Sequence, residues 1–247
     1  MPKLAAYRRE LAYSYAPGVF PSHALLDARP DVARRLLVHS AAEASEGVSA
    51  LIHKAEAHGV RVEVADHALA RISHKENCYA AVVFDKYEDT LDAGQPHIVL
   101  HQPSDMGNLG SILRTCLGFG LPDLAIITPA ADPFDPRVVR ASMGALFGMR
   151  VRAYRDFSSY HVEFARHTRY PFMLDGSVSL AKAAAERPAE PYALIFGNEA
   201  AGLPAAFADC GTPVRIPHSG RIDSLNLAVA VSIAAYEFTR GESGPVE

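Results

Sequence analysis

HIVLHQPSDMGNLGSILRTCLGFG, residues 97–120, passes from an apolar run through a polar turn into a helical pattern. The run from Ile98 is strand-like, and Ile112, Leu113 and Leu117 supply the apolar context of a helix. Asp105 and Asn108 are residue types that cap a helix start, and Gly107 and Gly110 allow close approach of a backbone or a ligand. Capping alone would account for the turn. It does not account for Arg114, a cation where a purely structural helix favours a neutral residue.

The same alternation continues to the C-terminus. Further β-rich runs begin at Leu124, Arg150, Tyr170, Tyr192 and Pro213, and helical patterns cover 108–119, 136–147, 158–167, 179–186, 203–208 and 224–239. Parallel neighbours need a crossover, usually a helix, so this order predicts an α/β domain with a mostly parallel sheet flanked by helices. Upstream, a second and shorter alternation ends near residue 88, followed by EDTLDAGQP (88–96), a polar stretch with the composition of a linker. Two domains are expected, a small α/β domain over 1–90 and a larger one over 91–247.

The 247 residues are 49% hydrophobic and 21% charged, an ordinary globular composition. No stretch reaches the roughly 18 to 20 uninterrupted apolar residues of a membrane helix. The start, MPKLAAYRRE, lacks the pattern of a secretory signal, so a soluble cytoplasmic protein is expected. Cys78, Cys116 and Cys210 form no C-x-x-C and read as reduced thiols, and His97 and His101, four apart on a strand, do not suggest a metal site. A net charge of −4 argues against a generic polyanion binder. Locally the balance differs: between Arg137 and Arg169 seven arginines meet only two acids, Asp156 and Glu163. This excess, which includes Arg137, Arg140, Arg150 and Arg152, is either a solvated helix face or a contact surface for a nucleic acid.

Two more stretches carry chemistry. YALIFGNEAAGLP (192–204) is an apolar strand that stops at Gly197-Asn198-Glu199, and ligands of parallel sheets sit beyond the carboxyl ends of strands. A plain turn there needs glycine but not Glu199. IPHSGRIDSLNLAVAVSIAAYEF (216–238) joins a polar turn directly to a helix that is apolar on nearly every side. The G-x-G at 118–120 closes a helix where a dinucleotide fingerprint would open one, and neither a phosphate loop nor a hydrolase elbow occurs.

Asn108 with Arg114, then FGNEAAGL (196–203), then IPHSGRIDSLN (216–226), in this order, resemble the three motifs of the SpoU/TrmH family in the SPOUT methyltransferase superfamily. Any one motif is unspecific; the ordered set, over about 97–240, is not. The first 90 residues are similar, less specifically, to the ribosomal-protein-like substrate-binding domain of many members. The resemblance implies a 2′-O-ribose methyltransferase that uses S-adenosylmethionine and acts on structured RNA, rRNA in preference to tRNA. It also implies a trefoil knot at the C-terminal end of the sheet and a homodimer joined through the knot. By the same resemblance Arg114, Asn108, Glu199, Ser224 and Asn226 fall on active-site positions, and the backbones of Gly197, Ile216 and Leu225 contact the cofactor. The alternatives are a catalytically silent RNA-binding or assembly factor on the same scaffold, and a small-molecule-binding α/β protein. Two departures are Asn77-Cys78-Tyr79, where members often carry Gln-Gly, and His218, where many have Met.

Overall fold

The computed structural model describes residues 4–42, 45–72, 78–187 and 191–240. The chain forms two compact units, one of Met1–Glu88 with Asp132–Gly148, the other of Asp89–Ala131 with Met149–Glu247. The first begins with β1 (Tyr13–Pro17), α1 (Val19–Ala28), β2 (Ala33–Val38), α2 (Glu46–Ala57), β3 (Arg61–Val64), α3 (Asp66–Ile72) and β4 (Ala80–Asp85). The second opens with β5 (His97–His101), α4 (Met106–Gly118) and β6 (Asp123–Ile127). After α5 (Pro136–Ala141), which belongs to the first unit, it continues with β7 (Arg150–Tyr154), α6 (Phe157–Glu163), β8 (Thr168–Pro171), β9 (Val178–Ser179) and α7 (Leu180–Ala185). It ends with β10 (Tyr192–Phe196), β11 (Val214–Arg215) and α8 (Leu227–Thr239).

The first unit is a mixed sheet in the order β1-β4-β2-β3, with β4 antiparallel to both neighbours and β2 parallel to β3. Its central strands bury Leu36, Leu37, Val82 and Phe84 completely. Residues 132–148 were expected in the second domain. They belong here because Phe134 and Phe147 pack on Phe84, with ring centroids 6.1 and 5.2 Å away, and Lys86 pairs with Asp132 at 3.2 Å. A helix expected over 136–147 breaks after Ala141: Met143 and Gly144 take φ of 54° and 87°, and a Cβ on Gly144 would stand 2.5 Å from that of Ala24. Asn77 lies outside the described residues.

The second unit is a wholly parallel five-stranded sheet, β7-β6-β5-β10-β8. Strands buried on both faces read as continuous apolar runs, and β6 and β10 are buried at all five positions. Helices α4 and α8 pack together, joined by the hydroxyls of Thr115 and Ser232 at 3.1 Å. Val99, Ile127, Tyr154, Tyr160, Ile195 and Phe207 share one core cluster. The expected linker is pinned rather than free: Leu91 is buried in that cluster, and Asp89 accepts a hydrogen bond from the Val151 amide. The unit boundary accordingly falls at 88/89.

Two expected strands differ. The run from Tyr170 starts at Thr168 and leaves the sheet after Pro171, whose ring removes a donor and is tolerated on this edge strand. The run from Pro213 gives only Val214–Arg215, which pairs with β9 outside the main sheet. The 203–208 segment is a 3₁₀ turn over Ala205–Cys210, and α8 starts at Leu227 rather than 224.

Candidate active site

β10 lies between β5 and β8, although β5 sends the chain away to β6. Neighbouring strands whose connections leave in opposite directions open a crevice beyond their carboxyl ends. A cavity of about 390 Å³ lies beyond the carboxyl ends of β8 and β10. Phe172, just past β8, stacks on Phe196 at the end of β10 with centroids 4.4 Å apart, and Gly197, Leu203, Ile216 and Leu225 continue the lining. Gly197 cannot be replaced without a shift: its Cβ would stand 2.1 Å from the carbonyl carbon of Gly202. The close approach exists because residues 198–202 fold back on themselves, Asn198 and Gly202 exchanging backbone hydrogen bonds of 3.2 and 2.9 Å.

One carboxylate organises the rim. Oε2 of Glu199 accepts from the amide and the hydroxyl of Ser104, both at 2.9 Å. Its Oε1 accepts from the Asp105 amide at 3.0 Å and from Nδ2 of Asn108 at 3.3 Å. Burial works to raise the pKa of Glu199, but the amides of Ser104 and Asp105 outweigh it and hold the group below its ordinary range. Oδ1 of Asn108 accepts from Nδ2 of Asn226 at 2.9 Å, and Oδ1 of Asn226 accepts from the Val229 amide, capping α8. Three segments far apart in sequence thus meet in one hydrogen-bonded chain. Asp105 caps α4 by accepting from the Asn108 amide at 2.7 Å, so the Asn108 side chain is released from capping and faces Glu199 and Asn226.

The SpoU rRNA Methylase family description matches residues 95–236, more than half of the chain. The chain belongs to the SpoU rRNA Methylase family.

The "23S rRNA (uridine(2479)-2'-O)-methyltransferase" of Streptomyces viridochromogenes is 34% identical over 149 residues, 58% of this chain and 52% of its own. The "tRNA (cytidine/uridine-2'-O-)-methyltransferase TrmJ" of Pectobacterium atrosepticum is 33% identical over 150 residues, 57% of this chain and 62% of its own. This SpoU chain therefore spans between half and two thirds of the length of these curated relatives. The solved AdoMet-bound rRNA methyltransferase of Sinorhizobium meliloti shares 27% identity across 94% of this chain and 89% of its own, with a TM-score of 0.78.

Of the expected site residues of this SpoU chain, Gly197, Glu199, Ile216, Ser224 and Leu225 line the cavity, and Asn108 and Asn226 join it through Glu199. Arg114 does not: it is exposed on α4, without a hydrogen-bond or ion-pair partner among the described residues. Asp123, fully buried, takes Nε of Arg150 at 2.7 Å and also its Nη2. Asp135 holds Nε and Nη2 of Arg137 at 2.9 and 2.8 Å, and Glu163 pairs with Arg152 at 2.6 Å. The positive excess counted along the sequence is thus partly neutralised in the fold. Sequence reasoning missed Ser104 and Gln102. Gln102, at φ 56°, offers its carbonyl to Nδ2 of Asn198 at 2.7 Å, and nothing in its type or spacing signals that.

Proposed function

We propose that this SpoU chain is an S-adenosylmethionine-dependent 2′-O-ribose methyltransferase acting on structured RNA, rRNA in preference to tRNA, in the cytoplasm. The hydrogen-bonded chain Glu199–Asn108–Asn226 carries this reading, because it gathers all three motifs at the rim of one cavity. The cofactor fits on two further observations. A volume of about 390 Å³ lies within the range of nucleoside-sized ligand sites, and its walls are mostly apolar, with Phe172 and Phe196, and carry a few polar groups, among them Asn198, Glu199 and Ser224. Ile216, Ser224 and Leu225 lie outside any helix or strand, so their amides and carbonyls are not consumed by a ladder and can read an adenine edge.

When bound, S-adenosylmethionine supplies a methyl group on a good leaving group. The residues supply alignment, which governs an in-line displacement. Gly197, Ile216 and Leu225 hold the cofactor by their backbones. Asn108, Ser224 and Asn226 orient the ribose hydroxyl, and Glu199 keeps them in register. A guanidinium offers five donors and no acceptor. Arg114 accordingly binds the adjacent phosphate and stabilises negative charge growing on the 2′ oxygen; it does not take the hydroxyl proton, which passes to solvent water as the O–CH3 bond forms and the sulfur–methyl bond breaks.

The partner is a second copy of the chain. Leu117 and Phe119 at the end of α4, with Val229, Ile233 and Tyr236 on α8, are between 37% and 55% exposed, an apolar face that suits burial against its equivalent. Arg114 lies on the exposed part of α4 and reaches a site completed by the neighbouring chain. We further propose that the chain closes a trefoil knot in the 192–226 region, a reading supported by the insertion of β10 between β5 and β8. The first unit binds RNA, and Arg137, Arg140, Arg150 and Arg152 contact phosphates. Arg137 and Arg150 use the Nη1 groups that their carboxylate partners leave unused.

Mass spectrometry of 2′-O-methylated nucleosides in rRNA and tRNA, from cells with and without the gene, tests the reading. A missing methylated ribose in rRNA is expected. An unchanged profile in both RNAs defeats it.

A further inference from the structure

We propose that Ser104, which precedes the first motif, is a positioning residue: its amide and hydroxyl lock the Glu199 carboxylate in the orientation that sets the carboxamides of Asn108 and Asn226. This rests on the methyltransferase reading above and assigns a role within that same site.

Ser104 is held on both sides. The Gln102 carbonyl accepts from Asn198 at 2.7 Å and the Pro103 carbonyl from the Ala131 amide at 2.7 Å, while Asp105 caps α4. From this mount both donors of Ser104 meet one oxygen of Glu199 at 2.9 Å. The other oxygen is filled by Asp105 and Asn108. A carboxylate has about four lone-pair sites, so these four donors saturate Glu199, and Nδ2 of Asn198 adds a longer contact to Oε2 at 3.5 Å. It is an organiser and has no free site for a proton from substrate.

A carboxylate only accepts, so polarity runs one way through the network. Asn108 must turn its NH2 to Glu199, which leaves its oxygen for Asn226 at 2.9 Å. Asn226 must then turn its NH2 to Asn108 and its oxygen to the Val229 amide at 3.2 Å. Among the described residues each carboxamide keeps one N–H unspent, and those two N–H groups are donors available to a ribose oxygen. Their direction is set at Ser104 and Glu199. A Glu199 freed of one donor can rotate or take a proton, and either change removes the reason for Asn108 to face one way.

The full chain with Ser104→Ala and with Ser104→Thr is the test, by two independent routes. The first is methyl transfer from labelled S-adenosylmethionine to unmodified rRNA transcribed in vitro. Ser104→Ala is expected to lower kcat roughly 10- to 100-fold with cofactor Kd changed less than about twofold, to move the acid limb of the pH profile upward, and Thr to restore most of the rate. The second needs no turnover. A carbon-13 carboxyl titration of Glu199 should show a higher midpoint in Ser104→Ala, and the side-chain amide signals of Asn108 and Asn226 should shift or broaden. An unmoved midpoint with unmoved amide signals overturns the proposal, as does a rate loss that Thr does not restore. A wild-type chain that binds cofactor but methylates neither rRNA nor tRNA overturns the enzyme reading alone, and the spectra then decide the role of Ser104.

Discussion

The carboxamide of Asn226 donates to the carboxamide oxygen of Asn108 across 2.9 Å, joining the start of α8 to the start of α4. Asn226 also caps α8 through the Val229 amide. Its replacement by alanine removes both bonds at once. Loss of the cap should cost about 1 kcal/mol, read by denaturant titration. The loss in kcat should be far larger than that stability change would produce, because the site loses a donor as well.

Arg114→Lys keeps a cation and loses the planar fork. Turnover on RNA should fall by about 10² while cofactor affinity, measured by calorimetry, stays nearly constant. Activity near wild type would remove Arg114 from the transition state.

Gly197→Ala forces a methyl group to within 2.1 Å of the Gly202 backbone. The loop 198–202 must move, at a cost of about 1–3 kcal/mol. Since the same loop walls the cavity, S-adenosylmethionine binding should weaken in step with the lowered melting temperature.

His97 is fully buried, its Nδ1 on the Tyr160 hydroxyl at 3.0 Å and its Nε2 on the Asp92 carbonyl at 2.9 Å. Burial pushes its pKa down to about 4, His167 adds to the depression, and the Asp92 carbonyl opposes it. Burial lowers that of His167 as well. Both rings are neutral in the fold and take up protons on unfolding, so stability is full above about pH 6.5 and falls as the pH drops towards 4. For His97 alone the loss between pH 6.5 and 5 should be about 2 kcal/mol. Denaturant titrations at the two pH values check it, and His97→Gln should flatten the difference.

Ile233→Glu places a charge on the exposed apolar face of α8, where Ile233 is 38% exposed. Ultracentrifugation should show dimers for the wild type and monomers for the variant. A wild type that is monomeric at all concentrations would falsify the dimer.

Among the described residues no helix is long and apolar enough to cross a membrane. The parallel sheet was legible along the chain because strands buried on both faces need continuous apolar runs, and β10 falls on Tyr192–Phe196 as read. The site residues were legible as types: a Glu after a strand-ending glycine, and Asn where a helix begins. Their partners were not. Glu199 meets Ser104 across 95 positions and Asn226 meets Asn108 across 118, distances over which local pattern carries no information.

Periodicity and turn chemistry were enough to define the α/β class, and three ordered motifs supplied the candidate site residues. Periodicity and turn chemistry are local and survive in a chain read one window at a time, and motif order needs only the linear sequence. Long-range packing alone assigned residues 132–148 to the first unit, reduced the run at Pro213 to two paired residues, and gave the fork of Arg150 to the buried Asp123. It also filled both oxygens of Glu199. The physical reason is the same in each case: a buried charge or aromatic ring takes the partner that the fold brings to it, and that partner is chosen by topology.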